Sequence, residues 1–101
     1  MRSSNSGSAV AEAAATRVSV TDDTLTVDLV DGRTISVPLV WYPRLHHATA
    51  AERARWVLTP FGEGIHWPDL DEDLSCQHLV EGRGSNESGS SLQRWLDSRL
   101  K

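Results

Sequence analysis

Apolar and polar residues alternate between positions 18 and 37, and this period of two constrains the fold more than any other feature of the chain. The alternation runs through residues 18–20, 25–29 and 35–37, where Val, Leu and Ile are separated by Thr, Ser and Asp. Successive side chains of a β-strand point to opposite faces, so each run predicts a short strand with one buried and one solvated face.

Asp31-Gly32 marks a hairpin between the second and third runs, and the parity of the flanking residues chooses its loop. A two-residue loop would pair Leu29 with Thr34 and put the two apolar faces on opposite sides of the sheet. A three-residue loop pairs Val27 with Ile35 instead, and it places the glycine where a bulge requires a left-handed residue. The sequence therefore predicts the three-residue loop.

Two further strands are expected after the hairpin. Residues 56–58 lead into the fourth, and a glycine turn at residues 62–64 leads into the fifth, residues 64–67, which Pro68 stops. Together these signals predict an α+β fold, in which a small, curved, antiparallel sheet of about five short strands is accompanied by one short helix and a C-terminal helix.

Both helices carry start signals. Thr49 and Glu52 form a capping box, which predicts a helix over residues 50–55. A second capping box at Ser90 and Gln93 predicts the terminal helix. Its apolar stripe consists of Leu92, Trp95, Leu96 and Leu100. A helix this short must dock on something, and its own sheet is the default while a partner is the alternative.

Composition divides the chain into three segments. Residues 1–16 are mainly Ser, Gly and Ala and are expected to be a disordered leader. Residues 17–82 carry the strand signals and are expected to form one α+β domain, because 101 residues supply a single core. Residues 83–101 are expected to be a flexible linker followed by the amphipathic terminal helix.

Charge is unevenly distributed along the chain. The formal net charge is −4, but residues 17–82 hold five arginines against eleven Asp and Glu, which gives −6, whereas residues 83–101 hold four basic and two acidic residues, which gives +2. An acidic surface repels nucleic-acid phosphates and attracts basic proteins. We therefore expect a small basic protein partner and no direct nucleic-acid binding by the acidic domain.

The longest apolar runs are too short for a membrane span or a secretory signal, which predicts a cytoplasmic protein without membrane contact. Cys76 is the only cysteine of the chain, which excludes an internal disulfide and a zinc site built from several thiolates.

Alternate aspartates at Asp69, Asp71 and Asp73 invite comparison with a calcium-binding loop. Such a loop needs Gly at its sixth position and Glu at its twelfth, where this chain has Leu74 and Val80. We interpret the run as carboxylates that cap a turn and form a negative surface open to a partner, and we expect no metal.

An acid/base or metal-dependent enzyme that uses His66 with Asp69 or Asp71 is the less favoured alternative. General acid/base catalysis needs a substrate group within hydrogen-bonding reach and a concave pocket, and no sequence signal indicates either. The chain also lacks the phosphate-binding, dinucleotide-binding, dithiol and serine-nucleophile motifs. The sequence therefore predicts no enzyme, no catalytic residue and no cofactor.

Several short motifs stand between residues 31 and 74: D-G-R at 31–33, V-P-L at 37–39, W-Y-P-R-L at 41–45, A-T and E-R at 48–49 and 52–53, and G-I-H-W-P-D-L-D-E-D-L at 64–74. With these motifs the chain resembles, over roughly residues 17–82, the bacterial family known as domain of unknown function 2442. The segment from residue 62 to residue 74 is the most specific of these, because many hairpins share the D-G-R turn.

The resemblance implies a small α+β domain that is often encoded beside another small domain, in gene pairs that look like toxin and antitoxin. Some members are fused to a helix-turn-helix, but the sequence after Gly82 has room for one helix only, which argues against operator binding here. No catalytic role is implied for any residue.

The leading hypothesis is thus an antitoxin-like protein-binding module. The residues expected at its partner contact are Trp67, Asp69, Asp71, Glu72, Asp73 and Trp95. A homodimer formed through an open sheet edge or the terminal helix is the second possibility.

Overall fold

The computed structural model describes residues 13–100, which form six strands and five helical segments. The strands are β1 (Ala15–Val20), β2 (Thr24–Leu29), β3 (Thr34–Pro38), β4 (Val57–Leu58), β5 (Gly64–Trp67) and β6 (Glu72–Ser75). The helical segments are a 3-10 turn (Leu39–Trp41), α1 (Pro43–His46), α2 (Ala50–Ala54), α3 (Cys76–Val80) and α4 (Gly89–Arg99). The α+β class is therefore confirmed.

The first sheet has the antiparallel order β1-β2-β3, and its hairpin has the predicted register. Val27 lies opposite Ile35, and the N–H of Leu29 donates to the carbonyl of Arg33 at 2.8 Å. Gly32 has φ 96°, a left-handed conformation that costs glycine little. Parity alone was sufficient to fix this loop, because a shift of one residue would have exposed every buried side chain of the strand.

Two three-stranded sheets replace the single five-stranded sheet that the sequence predicted. The second sheet has the order β4-β5-β6 and contains a strand that the sequence analysis missed, since β6 consists of residues read as a capped turn. The chain reverses between β5 and β6 through a turn in which Asp71 takes a left-handed φ of 51°. Aspartate tolerates this conformation better than most residues.

A backbone hydrogen bond joins Ala15 of the first sheet to the turn between β4 and β5 of the second. The N–H of Ala15 donates to the carbonyl of Gly62 at 2.7 Å. Gly62 has φ 74°, and a Cβ atom there would lie 2.7 Å from the carbonyl oxygen of Ala15. Only glycine allows this approach. β1 begins inside the segment expected as a leader, while residues 1–12 lie outside the described residues, where the leader stays a prediction.

Arg53 connects the two short helices α1 and α2. The predicted capping box of Thr49 and Glu52 starts α2, which brings Arg53 to a site where its side chain is 9% exposed. Its Nε and Nη2 donate to the carbonyls of Leu45 and His46, both at 2.9 Å, and so satisfy the C-terminal end of α1.

The segment after Gly82, expected to be a flexible linker, hydrogen-bonds to the domain. The N–H of Ser85 donates to the carbonyl of Trp41 at 2.9 Å, and the Tyr42 hydroxyl donates to the carbonyl of Arg83 at 2.5 Å. The terminal helix then begins earlier than predicted, because Ser88 and not Ser90 is its N-cap.

Candidate functional site

A cavity of about 370 Å³ opens beside β6 and contains much of the acidic run, which consists of Asp69, Asp71, Glu72 and Asp73. It lies between residues 71–75 and 83–87, and its wall is completed by Tyr42, Arg44, His78 and Ser91. The cavity therefore brings together the predicted contact residues Asp71, Glu72 and Asp73 with residues that the sequence analysis did not single out.

Arg44 forms one wall and is fully engaged by its neighbours. Its Nε and Nη2 donate to the Glu87 carboxylate, with Nη2 2.6 Å from Oε2, and Nη1 donates to the carbonyls of Leu70 and Asp71 at 3.1 and 3.3 Å. Glu87 also accepts a hydrogen bond from the Ser91 hydroxyl at 2.8 Å. The hydrogen bonds from Arg44 lower the pKa of Glu87, so the pair stays charged.

Glu72 lies on the inner side of the second sheet without such a partner. It is directly opposite the buried Trp67, so its side chain shares the core-facing side. Burial raises the pKa of Glu72 to about 7, and the charges of Glu87 and Asp73 push it the same way while Arg44 opposes them. In the described part of the chain, Glu72 has no ion-pair partner.

Two other carboxylates of the acidic run, those of Asp69 and Asp73, are paired with neighbouring side chains. Asp69 pairs with Arg55 at 2.5 Å. Asp73 Oδ1 accepts a hydrogen bond from His66 Nδ1 at 2.6 Å on the solvent side of the sheet, where the Asp73 and His66 side chains are 76% and 38% exposed. Exposed pairs of this kind contribute about 0–1 kcal/mol to stability. Glu72 is therefore the half-buried carboxyl group of this cavity, hereafter the Glu72 cavity, and among the described residues it has no ion-pair partner.

Trp67 is not a surface residue, which corrects its assignment to the partner contact. The side chain is completely buried, and its indole Nε1 donates to the carbonyl of Arg53 at 3.0 Å. A buried tryptophan usually requires such a hydrogen bond because an unpaired indole N–H loses its water. Trp67 belongs to the core and supports the sheet beneath Glu72.

Trp95 anchors α4 on its own domain, although the helix lies against the α1 and α2 region and not on a sheet. The guanidinium carbons of Arg44 and Arg99 lie 5.2 and 4.7 Å from the centre of its ring. Arg99 also makes two hydrogen bonds to Glu52, of 2.8 and 3.0 Å, which lower the pKa of Glu52 to about 2. None of the residues of α4 is fully buried.

Because α4 is held by so few contacts, Trp95→Ala is expected to release it without unfolding the domain. An isolated helix of this length is marginal in water. The amide protons of α4 should lose their protection from hydrogen exchange, while those of β2 and β5 change by less than about twofold. Arg94→Ala, on the exposed side of the same helix, is the matched control, and equal loss in both variants would contradict the anchoring role of Trp95.

The residues of the enzyme alternative do not converge. His66 is paired with Asp73, while Asp69 is turned toward Arg55. Among residues 13–100, no three His, Cys, Asp or Glu side chains are grouped to hold a metal ion. Cys76 is buried, and burial raises the pKa of its thiol, which keeps the sulfur protonated and unreactive at neutral pH.

The sequence analysis did not predict Arg44, Glu87 and Tyr42 as site residues, although Tyr42 and Arg44 stand in the W-Y-P-R-L motif. Arg44 and Glu87 stand 43 positions apart, and no local pattern links them. Glu72 was predicted as a contact residue, but the strand that carries it was not. A signal for that strand was present, because Glu72 and Leu74 are two positions apart and so share one face of a strand. The carboxylates on either side obscured it.

The family model described as "Protein of unknown function (DUF2442)" matches residues 15–85. A crystal structure of a protein of unknown function from Rhodospirillum rubrum is similar to this chain, with 26% identity and a TM-score of 0.65 over 76% of this chain and 95% of the other. A solution structure of an uncharacterised protein from Chromobacterium violaceum is similar in fold, with 20% identity and a TM-score of 0.61 over 85% and 75% of the two chains. No curated protein matches. Within the described residues, no helix is long and apolar enough to cross a membrane.

Proposed function

The chain belongs to the DUF2442 family of proteins of unknown function, and we propose that this member is a binding module whose Glu72 cavity receives a basic group of a protein partner. The observation that carries the proposal is the uncompensated carboxyl group of Glu72 in an open cavity. A guanidinium or ammonium group in that cavity would supply the counterion that the domain itself does not.

The state of Arg44 supports this choice of ligand. Every N–H-bearing nitrogen of its guanidinium already donates to Glu87 or to the turn before β6, so Arg44 is not available to attract an acidic ligand. Asp71 and Asp73 stand at the rim of the cavity and extend its negative field into solvent. An approaching basic surface would therefore be steered to the cavity.

A natural candidate for the partner is the product of an adjacent gene, since the family resemblance implies paired small genes of the toxin and antitoxin kind. We propose an antitoxin-like role, in which the acidic domain binds and restrains a small basic protein without catalysing a reaction. The net charge of −6 over residues 17–82 suits such a partner.

The test is isothermal titration of the purified adjacent gene product with the protein and with an Asp71→Asn, Glu72→Gln double variant. Both replacements keep the side-chain size, and asparagine tolerates the left-handed backbone at residue 71. We expect binding to weaken by about tenfold or more, because the charges that face the ligand are removed.

The matched control is an Asp31→Asn, Asp97→Asn double variant, which changes the formal net charge equally at positions outside the cavity. Its binding should change by less than about threefold. Equal weakening in both double variants would show that binding depends on overall charge and not on the cavity. Unchanged binding in both would exclude the Glu72 cavity as the contact.

A homodimer is the second candidate, because β3 lies at the edge of the first sheet. Unpaired strand edges are places where a second copy can add. Sedimentation of the free protein separates the two candidates, since a partner-binding monomer and a stable dimer differ in mass.

A further inference from the structure

β6 is an edge strand whose outward backbone groups can be identified. The N–H of Thr59 donates to the carbonyl of Gly64, so the backbone N–H and C=O of Gly64 point away from β6. Those of its neighbour Ile65 point toward β6. Ile65 lies opposite Leu74, so the backbone N–H and C=O groups of Glu72 and Leu74 point inward, toward β5. The N–H groups of Asp73 and Ser75 therefore point outward, and in the described chain no other strand pairs with them.

Two depressions adjoin this edge. Besides the Glu72 cavity, a second cavity of about 460 Å³ is lined by Ala13, Thr59, Glu63 and Gln77. The two cavities share Asp73, Leu74, Ser75 and His78, so they meet along β6 and leave its edge accessible over most of its length.

We propose that the partner binds by adding an extended, basic segment to the edge of β6 as a fourth strand of the second sheet. Alternate side chains of an added strand point to opposite sides, so one set would enter the Glu72 cavity and the other would meet Asp73 and the second cavity. The proposal rests on the binding function proposed above and specifies its mode.

The charges along the two cavities favour a basic segment as the ligand. The carboxylates of Glu63, Asp71, Glu72 and Asp73 lie along the two cavities. The arginines on the Glu72 side are already paired, Arg44 with Glu87 and Arg83 with Glu81. A basic segment with small apolar residues between its charges matches both the unpaired backbone groups and the carboxylates.

Hydrogen exchange of the ¹⁵N-labelled full chain gives a readout with an internal control. In the free protein the amides of Glu72 and Leu74 should be protected by β5, while those of Asp73 and Ser75 exchange quickly. Strand addition should protect Asp73 and Ser75 by about tenfold or more and leave the other two nearly unchanged.

The probes are a short peptide of alternating arginine and valine and the same peptide with alternate backbone nitrogens methylated on its pairing side. Strand addition predicts that methylation weakens binding by about tenfold or more, because the side chains and charges are kept while backbone donors are lost. Equal binding of the two peptides, or binding without protection of Asp73 and Ser75, would overturn strand addition but leave a basic ligand in the Glu72 cavity.

If neither peptide binds, strand addition by a basic segment is overturned. The titration with the adjacent gene product then decides separately whether the Glu72 cavity contacts a partner at all. A peptide in which glutamate replaces each arginine is the charge control, and it should not bind measurably.

Discussion

Replacing Glu72 with glutamine is expected to stabilise the domain by about 2–3 kcal/mol above pH 7, a large share of the stability of a domain this small. The carboxyl has a pKa of about 7 in the folded protein and an ordinary value of 4.5. Between these values the folded state holds a proton that the unfolded state releases, so the contribution of Glu72 to stability falls as pH rises from about 4.5 to about 7.

Urea unfolding of the natural protein and of Glu72→Gln across this pH range measures the effect. The variant should show a much flatter profile, and the two proteins should converge near pH 4.5 and below. Glu52 and Glu87 act in the opposite direction, since their lowered pKa values make the folded state lose stability as pH falls below about 4.5.

Glu81→Gln is the matched control, because this glutamate is 38% exposed and pairs with Arg83 at the surface. Its stability should differ from that of the natural protein by about 0.5 kcal/mol or less at every pH. Parallel pH profiles for the natural protein and Glu72→Gln would show that Glu72 does not titrate as the cavity geometry implies.

The second large effect is expected from Trp67→Ala, which should cost about 3–5 kcal/mol. The side chain is completely buried, and its removal leaves a large void beneath β5 and deprives the Arg53 carbonyl of its indole donor. The variant should be largely unfolded or close to its midpoint at room temperature, which near-ultraviolet circular dichroism and urea unfolding would show.

Trp67→Phe and Trp41→Ala calibrate this result. Phenylalanine keeps most of the ring and loses the hydrogen bond to Arg53, which should cost about 1–3 kcal/mol. Trp41 is 38% exposed, and its truncation should cost about 1 kcal/mol or less. A Trp67→Ala protein that kept its fold but lost its partner would restore Trp67 to the binding surface.

Local signals predicted the elements that local interactions determine. Parity fixed the register of the first hairpin, and the capping box of Thr49 and Glu52 started α2 as expected. β6 was missed because aspartate and glutamate disfavour strands, and because its pairing with β5 is decided by tertiary contacts. α1 was not predicted for a similar reason, since Arg53 from another helix donates a hydrogen bond to a carbonyl at its C-terminal end.

The start of α4 shows how a distant contact decides between equivalent local choices. Ser88 and Ser90 can both cap a helix, and the sequence pattern favoured Ser90 because Gln93 follows it. The ion pair between Glu87 and Arg44 fixes the chain just before Ser88, so the helix begins there. The acidic run was likewise predicted as a contact surface, but the pairing of β5 with β6 was needed to show that Glu72 shares the core-facing side with Trp67 while Asp73 lies on the solvent side.

Glu87 lies beyond the segment that matches the family model, whereas Arg44 and Glu72 lie inside it. A domain that ended at the family boundary would keep the arginine and lose its counterion, and Glu72 and Asp71 would remain as the carboxyl groups whose charge acts on Arg44. Such a shortened protein would neutralise its own cavity. Under the binding role proposed above, residues 86–101 would therefore contribute to the ligand preference of the Glu72 cavity, because Glu87 pairs with Arg44.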